Sequence, residues 1–236
     1  MRFNTFPLLR TWGDQKREAA LLTGLGIVHQ SIGQYDKAEE YQKKALVIAK
    51  EIGDREREIS CYGNLANVYK SLDEYDKVVE CLKKAVVVTK EIFDRKGEAI
   101  CYGNLGAVYK FLGEFGKAEE CQRKALVISK EIGHREGEAS CYANLGTMYQ
   151  YLGKYGKAEE HQKKALVITK EIGHREGEAS CCGNLGNAVY RYLGEYGKAE
   201  EHQKKALVIS KEIGNRQETR RSCMLWKPRK LVLMSR

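Results

Sequence analysis

The sequence predicts an all-α fold, a right-handed α-solenoid of five antiparallel helix pairs. The first observation behind this is internal repetition: a unit of about 40 residues recurs, and Tyr155–Ile168 returns letter for letter as Tyr196–Ile209. Such units bury their apolar faces against their neighbours and form quasi-linear arrays. The second observation is composition, because 236 residues contain only two prolines and the frequent Ala, Leu, Glu, Lys and Gln are good helix formers.

The repeat boundaries divide the chain into a leader, five repeats and a tail. The leader, 1–13, matches no repeat, and its apolar residues either cover the first helix pair or are disordered. The tail, 215–236, begins like a sixth repeat and then loses the pattern, which indicates a partial cap helix, a basic end and a fragment of a longer array. The repeats are 14–53, 54–93, 94–133, 134–173 and 174–214.

The fifth repeat contains one extra residue. Gly186 and Tyr190 are four positions apart, whereas Gly146 and Tyr149 are three positions apart. One inserted residue rotates the rest of a helix by ~100°, and a π-bulge near residues 188–189 would absorb this rotation. A functional bulge and recent slippage without function both remain open from the sequence.

The second segment of each repeat is the clearer helix. In repeat four, Ala158, His161, Ala165 and Ile168 follow one another at spacings of 3, 4 and 3, which places them on one helical face. The opposite face carries acid-first pairs four residues apart, a favourable order typical of a solvated surface. Glycines that suit a left-handed residue after the helix follow it at Gly53, Gly133, Gly173 and Gly214.

The first segment of each repeat begins with helix-start signals. Asp14, Asp54 and Asp94 are good N-cap residues. A glycine recurs in the centre of the segment, where it would cost about 1 kcal/mol relative to Ala in an exposed helix. Its recurrence therefore predicts that two helices approach closely at Gly26, Gly106, Gly146 and Gly186.

A family resemblance rests on the order of residues within each repeat. Repeat three reads, in order, Tyr102, Leu105, Gly106, Tyr109, Ala118 and Ala125. This order resembles the tetratricopeptide repeat (TPR), whose signature has an aromatic residue, Leu-Gly, Tyr and two Ala residues. The period is 40 rather than 34, and the closing proline is replaced by Lys50, Lys90, Lys130, Lys170 and Lys211. This longer variant resembles the LGN/Pins-type and tetratricopeptide repeat protein 28-like arrays.

The resemblance implies a concave groove, lined by the first helices, that holds an extended or helical peptide. Asparagines matching the groove recur one repeat apart, and an amide supplies both donors and an acceptor to a peptide main chain. Bonding between neighbouring repeats is the equally weighted alternative. The peptide-groove residues predicted in this way are Asn64, Asn104, Asn144, Asn184, Lys70, Lys110, Gln150, Arg191, Phe111, Tyr151 and Tyr192. Four joint arginines either add to the groove or pair with glutamates: Arg55, Arg95, Arg135 and Arg175.

No catalytic or metal-binding constellation is visible in the sequence. His161 and His202 occupy a position that holds Tyr or Cys in other repeats, so we interpret them as packing residues. Cys61, Cys101 and Cys141 recur 40 residues apart, too far for disulfides if single helices pack at about 8–10 Å. We therefore expect reduced thiols, a cytoplasmic protein, no cofactor and no metal.

The net charge of +9 is concentrated in the ends, since the tail has seven basic residues and one acidic residue. The sequence contains no stretch of 18 apolar residues, the length that would indicate a membrane span. We expect a non-catalytic scaffold that binds a peptide segment of a protein partner. This segment should contain acidic and apolar residues. The alternatives are a regulatory fragment of a larger signalling protein of the CHAT or GoLoco type, and binding of nucleic acid or anionic membrane by the basic tail.

Overall fold

The computed structural model describes residues 12–190 and 192–225. In these ranges all regular structure is helical and no strand occurs, which confirms the all-α array of consecutive helix pairs. The chain divides between Gly137 and Glu138 into two compact units. None of the helices in the described ranges has the length and apolar character needed to cross a bilayer.

The first unit is built from six helices that pack in chain order. Each first helix pairs with the second helix of its own repeat, and α2 and α4 also pack on the first helices that follow them, α3 and α5. The helices are α1 (Trp12–Ser31), α2 (Tyr35–Glu51), α3 (Arg55–Ser71), α4 (Tyr75–Glu91), α5 (Arg95–Phe111) and α6 (Phe115–Glu131).

The second unit has the same arrangement. It contains most of α7 (Arg135–Tyr151), then α8 (Tyr155–Glu171), α9 (Arg175–Asn184), a π-helical segment (Leu185–Tyr190) and α10 (Tyr196–Leu225). Helix α8 packs on α9, and α10 packs on both α9 and the π-helical segment. Within each unit, α2, α4 and α8 therefore each pack on the first helix that follows them.

Short left-handed turns join the helices. Gly53 has φ = 69°, and the next residue, Asp54, donates its N–H to the carbonyl of Ala49 at 2.8 Å, as in a Schellman-type helix end. Gly133 and Gly173 adopt the same conformation, as predicted.

Two expectations for the helix ends are wrong. Asp14 is not an N-cap, because α1 already begins at Trp12. Gly214 does not end a helix, because α10 continues without interruption to Leu225, and a glycine alone does not force a turn. Asp54 and Asp94 are N-caps as predicted, and their carboxylates accept the N–H groups of Arg57 and Gly97.

The inserted residue of repeat five lies in a π-helical segment, which confirms the predicted bulge. The wider turn returns Tyr190 to the core, where it is 2% exposed, much like Tyr149 at 1%. Tyr190 lies 5.1 Å from the ring of His202, the same distance that separates Tyr149 from His161. The bulge therefore restores the packing register immediately after the insertion.

A glycine–glutamine contact sets the approach of the two helices in four repeats. Gln122 of α6 is buried, and its Nε2 donates to the carbonyl of Gly103 on α5 at 2.8 Å. A Cβ added to Gly106 would lie only 2.6 Å from that nitrogen and 2.8 Å from Cγ of the same side chain. The equivalent pairs are Gly26 with Gln42, Gly146 with Gln162, and Gly186 with Gln203.

Repeat two replaces both members of this pair. Ala66 stands at the glycine position and Leu82 at the glutamine position, and both side chains are buried. The methyl group of Ala66 occupies space that a glutamine would need, so the two substitutions compensate each other. The close approach predicted from the recurring glycines is thus explained by one side chain on the partner helix.

The contact predicts a double-mutant cycle. Gly106→Ala alone should destabilise the chain by up to about 2 kcal/mol, because overpacking costs about 1–3 kcal/mol and Ala regains about 1 kcal/mol of helix propensity. Adding Gln122→Leu should recover most of this loss, since the pair then matches Ala66 and Leu82. Urea unfolding of the four proteins measures the coupling energy, and strictly additive effects would contradict the proposed contact.

Candidate functional site

The predicted groove residues of the first unit lie on α3 and α5. We define the first-helix surface as the outward faces of these two helices, which carry Ser60, Asn64, Asn67, Ser71, Ile100, Asn104, Ala107 and Phe111. Successive members on one helix are separated by three or four residues, so each set forms one stripe. The two stripes occupy equivalent positions in repeats two and three but differ in chemistry.

Asn64 has an internal partner. Its Nδ2 donates to Oε1 of Gln42 on α2 at 3.4 Å, and the side chain is half-buried. Because Gln42 also donates to the carbonyl of Thr23 on α1, Asn64 extends the glutamine contact from repeat one into repeat two. At this position the asparagine links neighbouring repeats.

Asn104 occupies the equivalent position on α5 in a different environment. The second helix before it carries Leu82 where α2 carries Gln42, so there is no amide for Asn104 to bond. Asn104 is exposed, and no hydrogen bond joins its side chain to another described residue. Its neighbours along the stripe, Ile100 and Phe111, are exposed by 49% and 66%.

Lys110 is the cation closest in sequence to this apolar stripe. Its side chain is half-buried, and desolvation lowers the pKa of its ammonium group. Among the described residues no ion pair involves Lys110, whereas Lys70, at the same position of repeat two, is exposed. A carboxylate that binds beside a half-buried ammonium without a counter-ion stabilises the charged form of that ammonium.

The predicted aromatic residues lie at the end of the first helices, next to the turn. Phe111 packs on Tyr75, with ring centroids 4.6 Å apart. In the second unit Tyr192 stacks on Tyr155, with ring centroids 4.7 Å apart and an interplanar angle of 6°, whereas the rings of Phe111 and Tyr75 are tilted by 32°. Both exposed rings are therefore held by a ring from the start of the second helix of the preceding repeat.

In the second unit the predicted residues are partly engaged with each other. Gln150 donates from Nε2 to the carbonyl of Asn184 at 3.3 Å. Asn144 and Asn184 are half-buried, and Tyr151 is exposed. Oε1 of Gln162 is buried without a hydrogen-bond partner in the described part of the chain, so Asn184 does not repeat the bond of Asn64. Arg191 lies outside the described residues.

The joint arginines form ion pairs. Arg55 contacts Glu58 and Glu91, each at 2.7 Å, and Glu58 is only 3% exposed. Lys50, at the position of the family's closing proline, lies 3.9 Å from the same buried carboxylate and 5.4 Å from the ring of Tyr62. The same ion pairs recur as Arg95 with Glu98 and Glu131, and as Arg175 with Glu178 and Glu212.

Pairing of the joint arginines with nearby glutamates was one of the two alternatives from the sequence, but the burial of these glutamates was not predicted. Their strict 40-residue recurrence at Glu58, Glu98, Glu138 and Glu178 was a visible signal of a shared role. For Arg55, Arg95 and Arg175 the structure supports pairing, the alternative left open above. These ion pairs join the start of each first helix to the second helix of the same repeat.

Histidine and cysteine side chains pack within the helix array. His161 lies 5.9 Å from the ring of Tyr142 and 5.1 Å from that of Tyr149. Cys61, Cys101, Cys141 and Cys181 are buried and free. In the described ranges, no three His, Cys, Asp or Glu side chains are grouped so as to hold a metal ion.

The profile of the tetratricopeptide repeat family matches residues 17–91, 65–131, 97–171 and 138–212. No curated protein sequence matches significantly. BtubC (BKLC) from P. vanneervenii has a similar crystal structure, with a TM-score of 0.77 and 26% identity, covering 86% of this chain and 85% of that chain.

Two further crystal structures show the fold alone, because their identity is low. A Podosopora anserina putative kinesin light chain, with nearly identical TPR-like repeats, gives a TM-score of 0.67 at 17% identity over 84% of this chain and 97% of that chain. The apo form of RapI gives 0.68 at 17% identity over 86% of each chain. These structures support the fold class.

Asn64 and Asn104 should differ in their effect on stability. Asn64→Ala removes a hydrogen bond to a buried amide and should cost about 0.5–1.5 kcal/mol. Asn104→Ala removes an exposed, unbonded side chain and should change the free energy of unfolding by less than about 0.5 kcal/mol. Urea titration of both variants measures the difference, and equal losses would contradict it.

The buried thiols predict a loss of stability at alkaline pH. Burial raises the pKa of Cys101 and Cys141 to about 11. A cysteine thiol in the unfolded chain has a pKa of about 8.5. The unfolded state therefore loses its protons first, and stability falls as pH rises from about 8.5 towards 11.

The variant Cys141→Ala isolates this effect for a single thiol. Between pH 7.5 and about 9.5, the stabilising contribution of Cys141 should fall by about 1.4 kcal/mol, the value of one pKa unit. The difference in unfolding free energy between the wild type and Cys141→Ala should shrink by that amount. A difference that stays constant over this pH range would show that the thiol ionises equally in both states.

Proposed function

Since this chain belongs to the tetratricopeptide repeat family, we propose that it is a non-catalytic scaffold that binds a peptide segment of a protein partner on its first-helix surface. Tetratricopeptide repeats are in general protein-interaction modules, and their arrays are generally not catalytic. The internal partners of the joint arginines and of the histidine rings leave few groups for any chemistry in these parts of the described chain. Binding is therefore the function assigned to the exposed side chains.

The observation that carries the proposal is the unbonded amide of Asn104. A backbone-like amide on an exposed helix face can accept from one peptide N–H and donate to one peptide carbonyl. Asn104 has no hydrogen-bond partner on the preceding second helix, because Leu82 stands there in place of the glutamine that Asn64 contacts one repeat earlier. Asn104 is thus available to a ligand where Asn64 is already bonded within the array.

The neighbours of Asn104 define the side chains that the peptide carries. Ile100 and Phe111 supply exposed apolar surface on either side, and Lys110 supplies a half-buried cation. We infer a peptide with an acidic residue and at least one apolar residue, extended along α5. The free buried thiols favour a reducing compartment, and we place the protein in the cytoplasm.

The proposal is tested with peptides selected on the intact chain from a random peptide library. Selected sequences should be enriched in Asp or Glu next to an apolar residue. Asn104→Ala should weaken their binding by about 3–10-fold, the equivalent of one net hydrogen bond, without lowering the melting temperature. Fluorescence anisotropy at two salt concentrations should show that the Lys110→Ala variant loses most of the salt dependence.

Matched controls separate the first-helix surface from the rest of the array. Lys83→Ala removes an exposed lysine on α4 and should leave affinity unchanged. Selected peptides that bind Asn104→Ala and Lys110→Ala as tightly as the wild type would refute this binding surface. Peptides without acidic enrichment would refute only the inferred charge of the partner.

A further inference from the structure

An uncovered apolar face lies on the first helix of the array. Leu21, Leu25 and Val28 are spaced by four and three residues along α1, so they share one face. Their side chains are exposed by 71%, 44% and 55%. A contiguous apolar stripe of this kind on a helix is typical of an interaction site.

The internal repeats show what this face normally contacts. The equivalent residues of repeat two, Cys61, Leu65 and Val68, are 0%, 3% and 0% exposed. They lie on α3, which packs on α2, the second helix of the preceding repeat. The face of α1 is thus built to receive a second helix, and none precedes it in the described part of the chain.

Helix α10, the last helix in the described part of the chain, has the complementary face uncovered. Leu207 of α10 is 55% exposed, whereas the equivalent Leu166 of α8 is 9% exposed because α8 packs on α9. Ser210 is exposed, whereas Thr169 at the same position of α8 is buried. Helix α10 continues to Leu225, so the described chain does not turn back to cover this face.

We propose that two copies of this chain associate head to tail, with α10 of one copy packed on α1 of the next. The contact repeats the packing of α2 on α3 and of α8 on α9, with Leu207 taking the role of Leu166 and Leu25 that of Leu65. The two faces differ, so the interface is heterologous and leaves one face open at each end. This surface is separate from the first-helix surface, and the inference does not depend on peptide binding.

The size of the contact sets the expected strength. One helix packed on one helix lies at the small end of specific interfaces, which bury about 1,200–2,000 Å². Association should therefore be concentration dependent, with a dissociation constant between about 1 µM and 1 mM. Because each copy retains one free face, larger linear species should follow the dimer as concentration rises.

Sedimentation equilibrium of the full chain over this concentration range tests the proposal. Leu21→Glu and Leu207→Glu each place a charge in the interface and should weaken association at least about tenfold. Both side chains are exposed in the single chain, so the melting temperature at low concentration should not fall. Val87→Glu is the matched control, since Val87 is 55% exposed on α4 and lies on neither end face.

Mixing the two variants gives the sharpest result. The Leu21→Glu chain keeps an intact α10 face and the Leu207→Glu chain keeps an intact α1 face. A mixture should therefore form a 1:1 heterodimer that grows no further. If Leu207→Glu alone associates as the wild type does, the contact does not use α10 and the proposal is wrong.

The remaining outcome concerns the residues that precede α1. A wild-type chain that stays monomeric over the whole range overturns the proposal. If deletion of residues 1–11 then permits association, the occupant of the α1 face is the leader of the same chain. If deletion has no effect, the face has no role in self-association.

Discussion

The contact between a glycine of the first helix and a buried glutamine of the second underlies the rest of the structure. Gly106 allows Gln122 to lie flat against α5, and the glutamine amide bonds the carbonyl of Gly103. This fixes both the separation and the axial register of the two helices. Because the same contact recurs in repeats one, four and five, each pair presents the same residues to its neighbours and the same face to solvent.

Residues that hold the helix pairs together recur in each repeat, whereas residues on the outward faces of the first helices differ between repeats. The second helices and the joints hold nearly identical side chains from repeat to repeat, and these pair with one another, as Arg55 does with Glu58 and Glu91. The outward stripes of the first helices vary instead. Repeat two presents serines and asparagines, whereas repeat three presents Ile100, Asn104 and Phe111. The exposed side chains therefore differ between repeats, while the helix pairs that present them are alike.

The sequence predicted the fold well because its signals were local and repeated. The 40-residue period, the Leu-Gly step and the turn glycines each follow from contacts inside one repeat, and even the π-bulge followed from a single extra residue. Predictions failed where an end or a distant partner decides the outcome. Asp14 lies inside α1, which begins at Trp12, and Gly214 lies inside α10, which continues to Leu225. In the described residues neither adjoins a turn between two helices, unlike the residues of an internal joint.

The candidate site was less predictable for the same reason. Asparagines at equivalent positions looked equivalent, yet their bonding depends on whether the preceding second helix carries Gln42 or Leu82. That pairing joins residues about 20 positions apart and has no local sequence signature. The burial of glutamates such as Glu58 was not predicted, because a first-turn acid considered within one repeat gives no sign that it will be covered.

The most direct measurement is side-chain amide NMR of the chain during titration with an acidic peptide selected on it. The amide resonances of Asn104, assigned from the Asn104→Ala variant, should shift in proportion to peptide bound. Those of the buried Gln122, which already bonds the first helix, should stay in place. Unchanged Asn104 resonances together with shifts of the side-chain amides on the second helices, for example those of Gln122 or Gln203, would contradict the assignment of binding to the first-helix surface.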